Sequence, residues 1–314
     1  MPAFYFTNPA YFVLIRHQHT VIIITGPTAV GKTALSLQLA QHFGTAIVSA
    51  DSRQCFRELN IGVAKPEPHE LALVPHYFIN SHSIHDEVNA AVYEQYALQA
   101  VSEIFSTRPV AVMVGGTGLY VKAFCEGIDH IPPVPAEIHE AVIDLYQQNG
   151  LVFLQNELRE KDPLFWETAE QQNPQRLMRA LEVLYASGQS ISSFRTAAKA
   201  TRDFNIIKIG LDMPREQLYH RINLRVDLMM QAGLLEEAQD LLSFRHLNAL
   251  QTVGYREFFD YFDGKITLPA AIEQLKTNTR HYAKRQLTWF KRDTTINWFQ
   301  PGEAVIDAVE ELLK

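Results

Sequence analysis

The sequence of 314 residues predicts an α/β fold, a parallel sheet flanked by helices, into which an all-helical module is inserted. Three observations favour this class. Short, β-rich apolar runs alternate with helical periods in the first part of the chain. A glycine-rich turn joins the first apolar run to the first helix, and the stretch 131–202 shows helical patterns without a convincing strand. We therefore expect a discontinuous core, residues 1–130 and 203–314, interrupted by a helical insertion over 131–202.

The core elements follow from local pattern. Each strand is a short run rich in Val and Ile, and each helix carries apolar residues at a helical period. In chain order the predicted strands are 21–25, 45–50, 110–114 and 205–211, and the predicted helices are 32–43, 92–105, 215–244 and 268–291. In the insertion, prolines at 132, 133 and 135 precede helices predicted at 135–149, 151–161 and 174–187. Ligands gather beyond the carboxyl ends of parallel strands, so the turn at Gly26, Asp51 and Thr117 should share one crevice.

The turn after the first strand carries a phosphate-binding pattern. GPTAVGKT matches GxxxxGK[ST] between a predicted strand and a predicted helix, so a P-loop is expected. Backbone N–H groups of such a loop surround a diphosphate, a lysine adds a cation, and a hydroxyl binds Mg²⁺. The expected diphosphate ligands are Gly26, Pro27, Thr28, Ala29, Val30, Gly31, Lys32 and Thr33, with Thr33 also the expected Mg²⁺ ligand.

Bulk composition limits the classes of protein. The net charge of −7 argues mildly against a nucleic-acid binder, although a basic patch can sit on an acidic protein. Two cysteines without a CxxC pair argue against a disulfide scaffold and fit a reducing cytoplasm. Residues 1–20 lack a basic n-region, and no apolar run reaches membrane-spanning length, so we expect a cytoplasmic protein that does not bind membranes. Residues 1–20 are interpreted as an extra strand or a loose arm.

The position of the acidic residue separates this chain from ordinary P-loop ATPases. Such enzymes usually hold magnesium with an acid at the end of a later strand, whereas strand 110–114 ends in GGTGLY. The carboxylate stands at Asp51 instead, where it can act as a base toward an acceptor beside the phosphates. A structural carboxylate that caps a turn is the alternative for Asp51, and a turn-stabilising residue is the alternative for Thr117.

Motif by motif, the chain resembles the tRNA dimethylallyltransferase family. The matching blocks keep the order of the family across residues 21 to 292 and together are far more specific than the P-loop alone. They are GPTAVGKT (26–33), DSRQCFRELNIGVAKP (51–66), VPHY (74–77), GGTGLY (115–120), NPQRLMRALEV (173–183), RINLRVDLMMQAGLLEE (221–237), TVGYREF (252–258) and TRHYAKRQLTWFKR (279–292).

The resemblance implies a reaction. The family transfers the dimethylallyl group of dimethylallyl diphosphate to the exocyclic amine of the adenosine 3′-adjacent to the anticodon, tRNA position 37, and releases diphosphate. The P-loop then holds a prenyl diphosphate with Mg²⁺, Asp51 takes the proton of the amine, and Thr117 hydrogen-bonds the amine. An arginine near residue 221 reaches the diphosphate; we favour Arg221 over Arg225, which can instead form an ion pair with Asp227.

The resemblance also implies tRNA contacts, since the target base must leave the anticodon stack. The amide of Gln54 can pair with adenine through a donor and an acceptor together. The residues implied in tRNA binding are Asp51, Ser52, Arg53, Gln54, Thr117, His139, Gln175, Arg176, Leu177, Met178, Arg179, Arg280 and Lys284. Solvated, charged helix faces are the alternative for Arg176 with Arg179 and for the basic C-terminal helix.

Two positions depart from the family pattern. His139 stands where an arginine is frequent, which weakens a phosphate contact at neutral pH. Cys55-Phe56 replaces a more common pair ending in tyrosine, so a hydroxyl is lost while packing is expected to persist. His82 and His85 beside Asp86 can be interpreted as a loose metal site or as plain loop residues.

Two other classes of protein compete with this interpretation. A P-loop kinase of small molecules, or a prenyltransferase acting on a free nucleotide, also suits the loop and Asp51. A non-catalytic tRNA-binding protein explains the basic C-terminal helix but leaves Lys32, Thr33, Asp51 and Thr117 without a role. We expect a monomeric enzyme.

Overall fold

A computed structural model describes residues 19–196 and 198–314. Most of the stretch predicted as an extra strand or loose arm, residues 1–18, lies outside the described residues. The helices and strands are, in chain order, β1 Thr20–Thr25, α1 Lys32–His42, β2 Ile47–Ser49, α2 Pro68–Leu71, β3 His76–Tyr77, α3 Ala90–Phe105, β4 Val110–Val114, α4 Gly118–Glu126, α5 Ala136–Lys161, α6 Pro163–Trp166, α7 Pro174–Ser187, β5 Asn205–Leu211, α8 Arg215–Gln231, α9 Leu234–Asp240, α10 Arg256–Phe262, α11 Leu268–Phe290, β6 Asn297–Phe299 and α12 Val305–Leu312.

Within the described residues the strands form one six-stranded sheet, in the order β3-β2-β4-β1-β5-β6. Every neighbouring pair is parallel, so the predicted α/β class with a parallel sheet and flanking helices is confirmed. The two edge strands were not predicted. β3 has two residues and β6 has three, too few for a pattern of alternating hydrophobicity to stand out.

The central strand β1 is buried on both faces. Val21 and Ile23 pack into the hydrophobic cluster on one side of the sheet, whereas Ile22 and Ile24 pack into the cluster on the other. All four side chains are fully buried. A continuous run of branched apolar residues is what a parallel strand covered by helices on both faces requires.

The register of the sheet positions the crevice predicted from the sequence. Ile24 of β1 pairs with Val114 of β4, and Ser49 of β2 pairs with the same residue. The three strands therefore end side by side. The segments that follow them, beginning at Gly26, Ala50 and Gly115, leave the sheet at one edge.

The chain divides into two compact units. One comprises the described residues up to Glu126 together with Thr201–Lys314, and the other is Gly127–Ala200. The second unit contains α5, α6 and α7 and has its own hydrophobic cluster, which includes Leu154, Leu158 and Leu181. This unit begins at residue 127, four residues before the predicted start of the insertion at 131. It ends at residue 200, two residues before the predicted end at 202.

Two glycines interrupt helices. Gly150 has a φ of 71° inside α5 and separates the two helices predicted at 135–149 and 151–161 by a kink. Gly233 has a φ of 99° between α8 and α9, so the prediction of one continuous helix over 215–244 was wrong. A positive φ costs glycine little, which lets the chain turn at these points. No helix in the described part of the chain is both long and apolar enough to cross a membrane.

Candidate functional site

The phosphate-binding loop takes the backbone form that its glycines permit. Gly26 and Gly31 have φ angles of 139° and 110°, in the region that favours glycine. A Cβ on Gly26 would lie 2.5 Å from the carbonyl oxygen of Leu211, so β5 also excludes a side chain there. Gly31 directly precedes α1, which directs the first N–H groups of that helix toward the loop.

The loop borders a cavity of about 410 Å³ at the carboxyl edge of the sheet. Thr28, Ala29, Gly31, Lys32 and Thr33 line this cavity, as predicted diphosphate ligands should. The remaining predicted ligands, Gly26, Pro27 and Val30, are buried and do not line it.

Lys32 folds back over its own loop. Its Nζ donates hydrogen bonds to the carbonyl oxygens of Gly26 at 3.0 Å and Pro27 at 2.7 Å. Burial lowers the pKa of Lys32 to about 7, with the Arg225 cation contributing to the decrease and the Asp51 carboxylate opposing it. An additional anion in the cavity would therefore restore the charge of this lysine.

Both candidate arginines of α8 line the cavity. The guanidinium of Arg225 donates to Oγ1 of Thr28 at 3.1 Å, and the guanidinium of Arg221 lies beside Gly31. Asp227 pairs with Lys276 at 2.8 Å, so the alternative that Arg225 is held by Asp227 is not what the structure shows. Arg225 is the one that hydrogen-bonds the loop, and contact of Arg221 with the diphosphate stays a prediction.

Asp51 lines the same cavity as the loop and also caps a turn. Its Oδ1 accepts hydrogen bonds from the backbone N–H groups of Arg53 at 2.9 Å and Gln54 at 3.4 Å. The carboxylate lines the cavity and influences the pKa of Lys32. The capping role and the placement for chemistry therefore coexist in one side chain.

Thr117 joins the turn after β4 to the segment after β2. Its Oγ1 accepts a hydrogen bond from the N–H of Ser52 at 3.0 Å and donates to Oγ of Ser52 at 3.3 Å, while its own N–H donates to the carbonyl of Ala50 at 3.2 Å. Gly115 and Gly116 line the cavity, whereas Thr117 does not. The turn-stabilising role of Thr117 is thus present in the structure.

Gln54 already has partners within the chain. Its Oε1 accepts from Oγ of Ser49 at 3.2 Å, and its Nε2 donates to the carbonyl of Ala64 at 3.0 Å. Pairing with an adenine would require these bonds to be exchanged. The neighbouring Cys55 and Phe56 are buried, and burial raises the pKa of the Cys55 thiol to about 12, so this position acts in packing.

In the helical unit, the predicted tRNA-binding residues of α7 divide into two groups. Gln175, Arg176 and Arg179 are exposed. Leu177 and Met178 are buried in the hydrophobic cluster of this unit, so their side chains are core rather than surface for an RNA.

The predicted contact His139 pairs with a residue of α7. The buried Glu182 accepts from Nδ1 of the exposed His139 at 2.8 Å and from Arg179 at 3.2 Å. Glu182, which was not among the predicted residues, thus orients two of the predicted contacts.

The basic residues of α11 have unequal environments. Arg280 donates to Oδ1 of Asn223 at 2.7 Å and to Oγ1 of Thr277 at 2.8 Å, and Lys276 pairs with Asp227. Lys284 and Arg285 are exposed. Lys284 and Arg285 are thus more exposed than Arg280, and contact of Arg280 and Lys284 with tRNA stays a prediction.

The histidines considered as a metal site contact aromatic rings. His82 packs against Phe78 and Tyr96, and His85 packs against Phe244. Among residues 19–196 and 198–314 there is no group of three or more His, Cys, Asp and Glu side chains placed to hold a metal ion.

The donor set around the cavity nevertheless fits Mg²⁺ bound together with a phosphate ligand. Thr33 and Asp51 both line the cavity and supply a hydroxyl and a carboxylate. Mg²⁺ is typically held by one or two protein oxygens, phosphate oxygens and water rather than by an all-protein cage. Thr33 would hold the ion once a diphosphate is present.

Two residues of α11 that were not predicted from the sequence also contact the site. Gln286 is buried; its Oε1 accepts from the N–H of Thr28 at 2.8 Å, and its Nε2 donates to the carbonyl of Gly116 at 2.9 Å. Burial raises the pKa of Tyr282 to about 12, Asp51 adds to the increase, and Arg53 and the Thr117 hydroxyl oppose it. The available signal was their spacing of four in TRHYAKRQLTWFKR, which places them on one helical face.

A glycine-rich phosphate loop at the carboxyl edge of a parallel sheet places the chain in the P-loop class of α/β proteins. Within this class, residues 54–293 match the model of the IPP transferase family. The chain belongs to that family.

Known proteins match this chain in sequence or structure over nearly its whole length. A tRNA dimethylallyltransferase 1 of Bacteroides thetaiotaomicron is 50% identical over 284 residues, 90% of this chain and 92% of that protein. The full-length tRNA isopentenylpyrophosphate transferase of Bacillus halodurans is 34% identical, with a TM-score of 0.68 over 94% of this chain and 96% of that one. A eukaryotic dimethylallyltransferase acting on tRNA is 26% identical, with a TM-score of 0.75 over 93% of this chain and 78% of that one.

Proposed function

We propose that this chain is an enzyme, a tRNA dimethylallyltransferase. It transfers the dimethylallyl group of dimethylallyl diphosphate to the exocyclic amine of the adenosine 3′-adjacent to the anticodon, tRNA position 37, and releases diphosphate. The observation that carries the proposal is that Asp51 and a phosphate-binding loop line one cavity, in a chain of the IPP transferase family. Its substrate is a cytoplasmic RNA, so we place the enzyme in the cytoplasm.

The phosphate loop supplies the leaving-group site. The N–H groups at the start of α1, Lys32 and the guanidinium groups of Arg221 and Arg225 surround the diphosphate. As the C–O bond to the prenyl carbon breaks, negative charge grows on the departing oxygen, and these donors stabilise it. When bound beside Thr33, Mg²⁺ supplies further stabilisation of that charge.

Asp51 serves the nucleophile. The amine of adenine is weakly nucleophilic because its lone pair is delocalised into the ring. As the N–C bond forms, the nitrogen loses a proton, and Asp51 accepts it as a general base. Oγ1 of Thr117 is bonded to Ser52 and to the hydroxyl of Tyr282, and it would exchange one of these bonds to orient the amine.

The direct test is transfer of label from radiolabelled dimethylallyl diphosphate, in the presence of Mg²⁺, to an unmodified tRNA with adenosine at position 37. Controls are AMP and a tRNA variant that lacks this adenosine. Label on the first tRNA alone supports the proposal. Label on AMP, or turnover of ATP without labelled tRNA, would identify a nucleotide-level enzyme instead.

The role of Asp51 has its own variants. Asp51→Asn keeps the shape and the capping oxygen but removes the base, so we expect a loss of transfer of about 10²- to 10⁴-fold. Binding of inorganic pyrophosphate should change little. Asp307→Asn, at an exposed position of α12, is the matched control and should retain full transfer. Full transfer by Asp51→Ala would refute the assignment of the base.

A further inference from the structure

Gln286 connects two segments of the site that are distant in sequence. Its side chain is 6% exposed and reaches Thr28, 258 residues away, and Gly116, 170 residues away. Both amide atoms are used, one as acceptor and one as donor. A buried amide satisfied at both ends by two different loops fixes the distance between those loops.

The bond to Thr28 involves the phosphate loop itself. The N–H of Thr28 points to Oε1 of Gln286 at 2.8 Å, so this amide of the loop is directed at α11 rather than at the cavity. On the other side of the same residue, the hydroxyl accepts from Arg225 at 3.1 Å. Thr28 is therefore held from two helices, and a shift of the loop on binding an anion reaches Gln286 directly.

The bond to Gly116 involves the turn that carries Thr117. A Cβ on Gly116 would lie 2.0 Å from Nε2 of Gln286, so the helix approaches this turn too closely for any side chain. Likewise, a Cβ on Gly118 would lie 2.2 Å from ring atoms of Trp289. Tyr282, Gln286 and Trp289 stand at positions i, i+4 and i+7 and form one face of α11 against the turn.

We propose that Gln286 is a positioning residue that couples occupancy of the phosphate-binding loop to the placement of the turn carrying Thr117. An anion that fixes the position of the loop thereby also fixes the position of the Gly116 carbonyl. The hydroxyl of Thr117, which is bonded to Ser52 beside Asp51, is fixed with it. The site is set for the amine only when the leaving group is in place. The catalytic part of this inference rests on the proposed function, whereas the coupling itself does not.

The coupling is tested with inorganic pyrophosphate and Mg²⁺, without tRNA. Hydrogen–deuterium exchange is followed in peptides covering residues 114–124, with and without saturating pyrophosphate. In the native chain we expect pyrophosphate to slow exchange there several-fold. In Gln286→Met, which keeps the volume of the side chain and removes both hydrogen bonds, the slowing should disappear at equal saturation.

Direct contact of pyrophosphate with Gly115 and Gly116 would give a different result. Exchange would then slow equally in the native chain and in Gln286→Met, and the inference would be overturned. No effect of pyrophosphate on these peptides in the native chain would overturn it as well. Gln274→Met, an exposed position of the same helix, is the control and should behave as the native chain does.

Transfer kinetics provide a second readout. We expect Gln286→Met to lower kcat about 10- to 100-fold while the KM for tRNA changes less than about twofold, because the bonds serve the reacting geometry rather than RNA binding. A change confined to KM, or no change, would contradict the role. Should the native chain transfer no label at all, the proposed function fails, and the exchange experiment still decides the coupling.

Rescue by protonation separates hydrogen bonding from packing. In Gln286→Glu, the protonated carboxyl group can accept from Thr28 and donate to Gly116 as the amide does, whereas the ionised carboxylate cannot donate. Relative to the native chain, kcat of Gln286→Glu should rise as the pH falls, and thermal unfolding at each pH confirms that the variant is folded. Gln274→Glu should show no such rise. A flat ratio would rule out the hydrogen-bonding role.

Discussion

At the scale of single residues, the site combines groups that perturb one another. Partial burial lowers the pKa of Lys32, the nearby cation of Arg225 lowers it further, and the carboxylate of Asp51 opposes both effects. Without a ligand, the lysine is therefore partly neutral near pH 7 and donates to the carbonyl groups of its own loop. A diphosphate reverses this balance because it brings several negative charges to the same cavity.

This balance predicts a pH-dependent affinity. With a free pKa of about 7 and a higher pKa in the complex, Lys32 is charged in both states below pH 7 and must take up a proton on binding above it. Protonation of Lys32 should therefore leave the Kd for pyrophosphate unchanged below pH 7. Above pH 7 the Kd should increase with pH, with a slope that approaches about tenfold per pH unit. Titration calorimetry from pH 6 to pH 9, in two buffers of different ionisation enthalpy, measures both affinity and proton uptake.

Lys32→Arg provides the comparison, since its guanidinium stays charged over this range. Titration of pyrophosphate itself is common to both proteins and cancels in their ratio. An equal pH dependence in the two proteins would show that another group takes up the proton.

At the scale of elements, α7 has an exposed face and a buried face within one short segment. The sequence QRLMR (175–179) resembles a family segment that contacts tRNA, and the structure divides it by helical face. Arg176 and Arg179 are exposed, whereas Leu177 is completely buried in the core of the helical unit. Arg176 pairs with Glu170 at 3.0 Å, but both side chains are more than half exposed, so this pair adds little stability.

The two faces of α7 predict opposite phenotypes. Arg176→Ala should raise the KM for tRNA several-fold and leave thermal unfolding unchanged, because the position is exposed. Leu177→Ala should lower the free energy of unfolding by about 2–5 kcal/mol, because it removes buried packing and creates a cavity.

Both variants should bind pyrophosphate normally, since the phosphate loop belongs to the other unit. Arg159→Ala, at an exposed position of α5, is the control for loss of a positive charge. If Leu177→Ala weakened tRNA binding without loss of stability, Leu177 would be a contact residue after all.

At the scale of the whole molecule, a protein of net charge −7 has to bind a polyanion. Local positive charge must supply the attraction. Several basic residues of α11 and its C-terminal end are occupied within the chain: Lys276 by Asp227, Lys291 by Asp212 and Arg280 by Asn223. Lys284 and Arg285 are exposed and are the cations of this helix best placed for phosphates.

We therefore expect tRNA recognition to depend on salt. Raising monovalent salt from 50 to 200 mM should increase the KM for tRNA about tenfold or more, because bound phosphates release counterions. In the double variant Lys284→Ala, Arg285→Ala, the slope of log KM against log salt should fall by about one for each phosphate group that the variant no longer binds. Lys265→Ala, an exposed lysine before α11, should leave the slope unchanged.

Local pattern in the sequence determined the α/β class, the phosphate loop and the helical insertion. The alternation of apolar runs and helical periods, and the need of Gly26 and Gly31 for a positive φ, are properties of neighbouring residues. The family blocks added the reaction and the candidates Asp51 and Thr117. The short edge strands and the helix break at Gly233 were not predicted, because only two or three residues form each strand and a single glycine marks the break.

Only the tertiary structure decided which groups meet. Sheet register brought the ends of β1, β2 and β4 together, and packing of α8 and α11 on that edge joined Arg225 and Gln286 to Thr28. These contacts span 197 and 258 residues, so no local pattern records them. Burial likewise separated Leu177 from Arg176, since solvent exposure depends on what the rest of the chain places against a helix face.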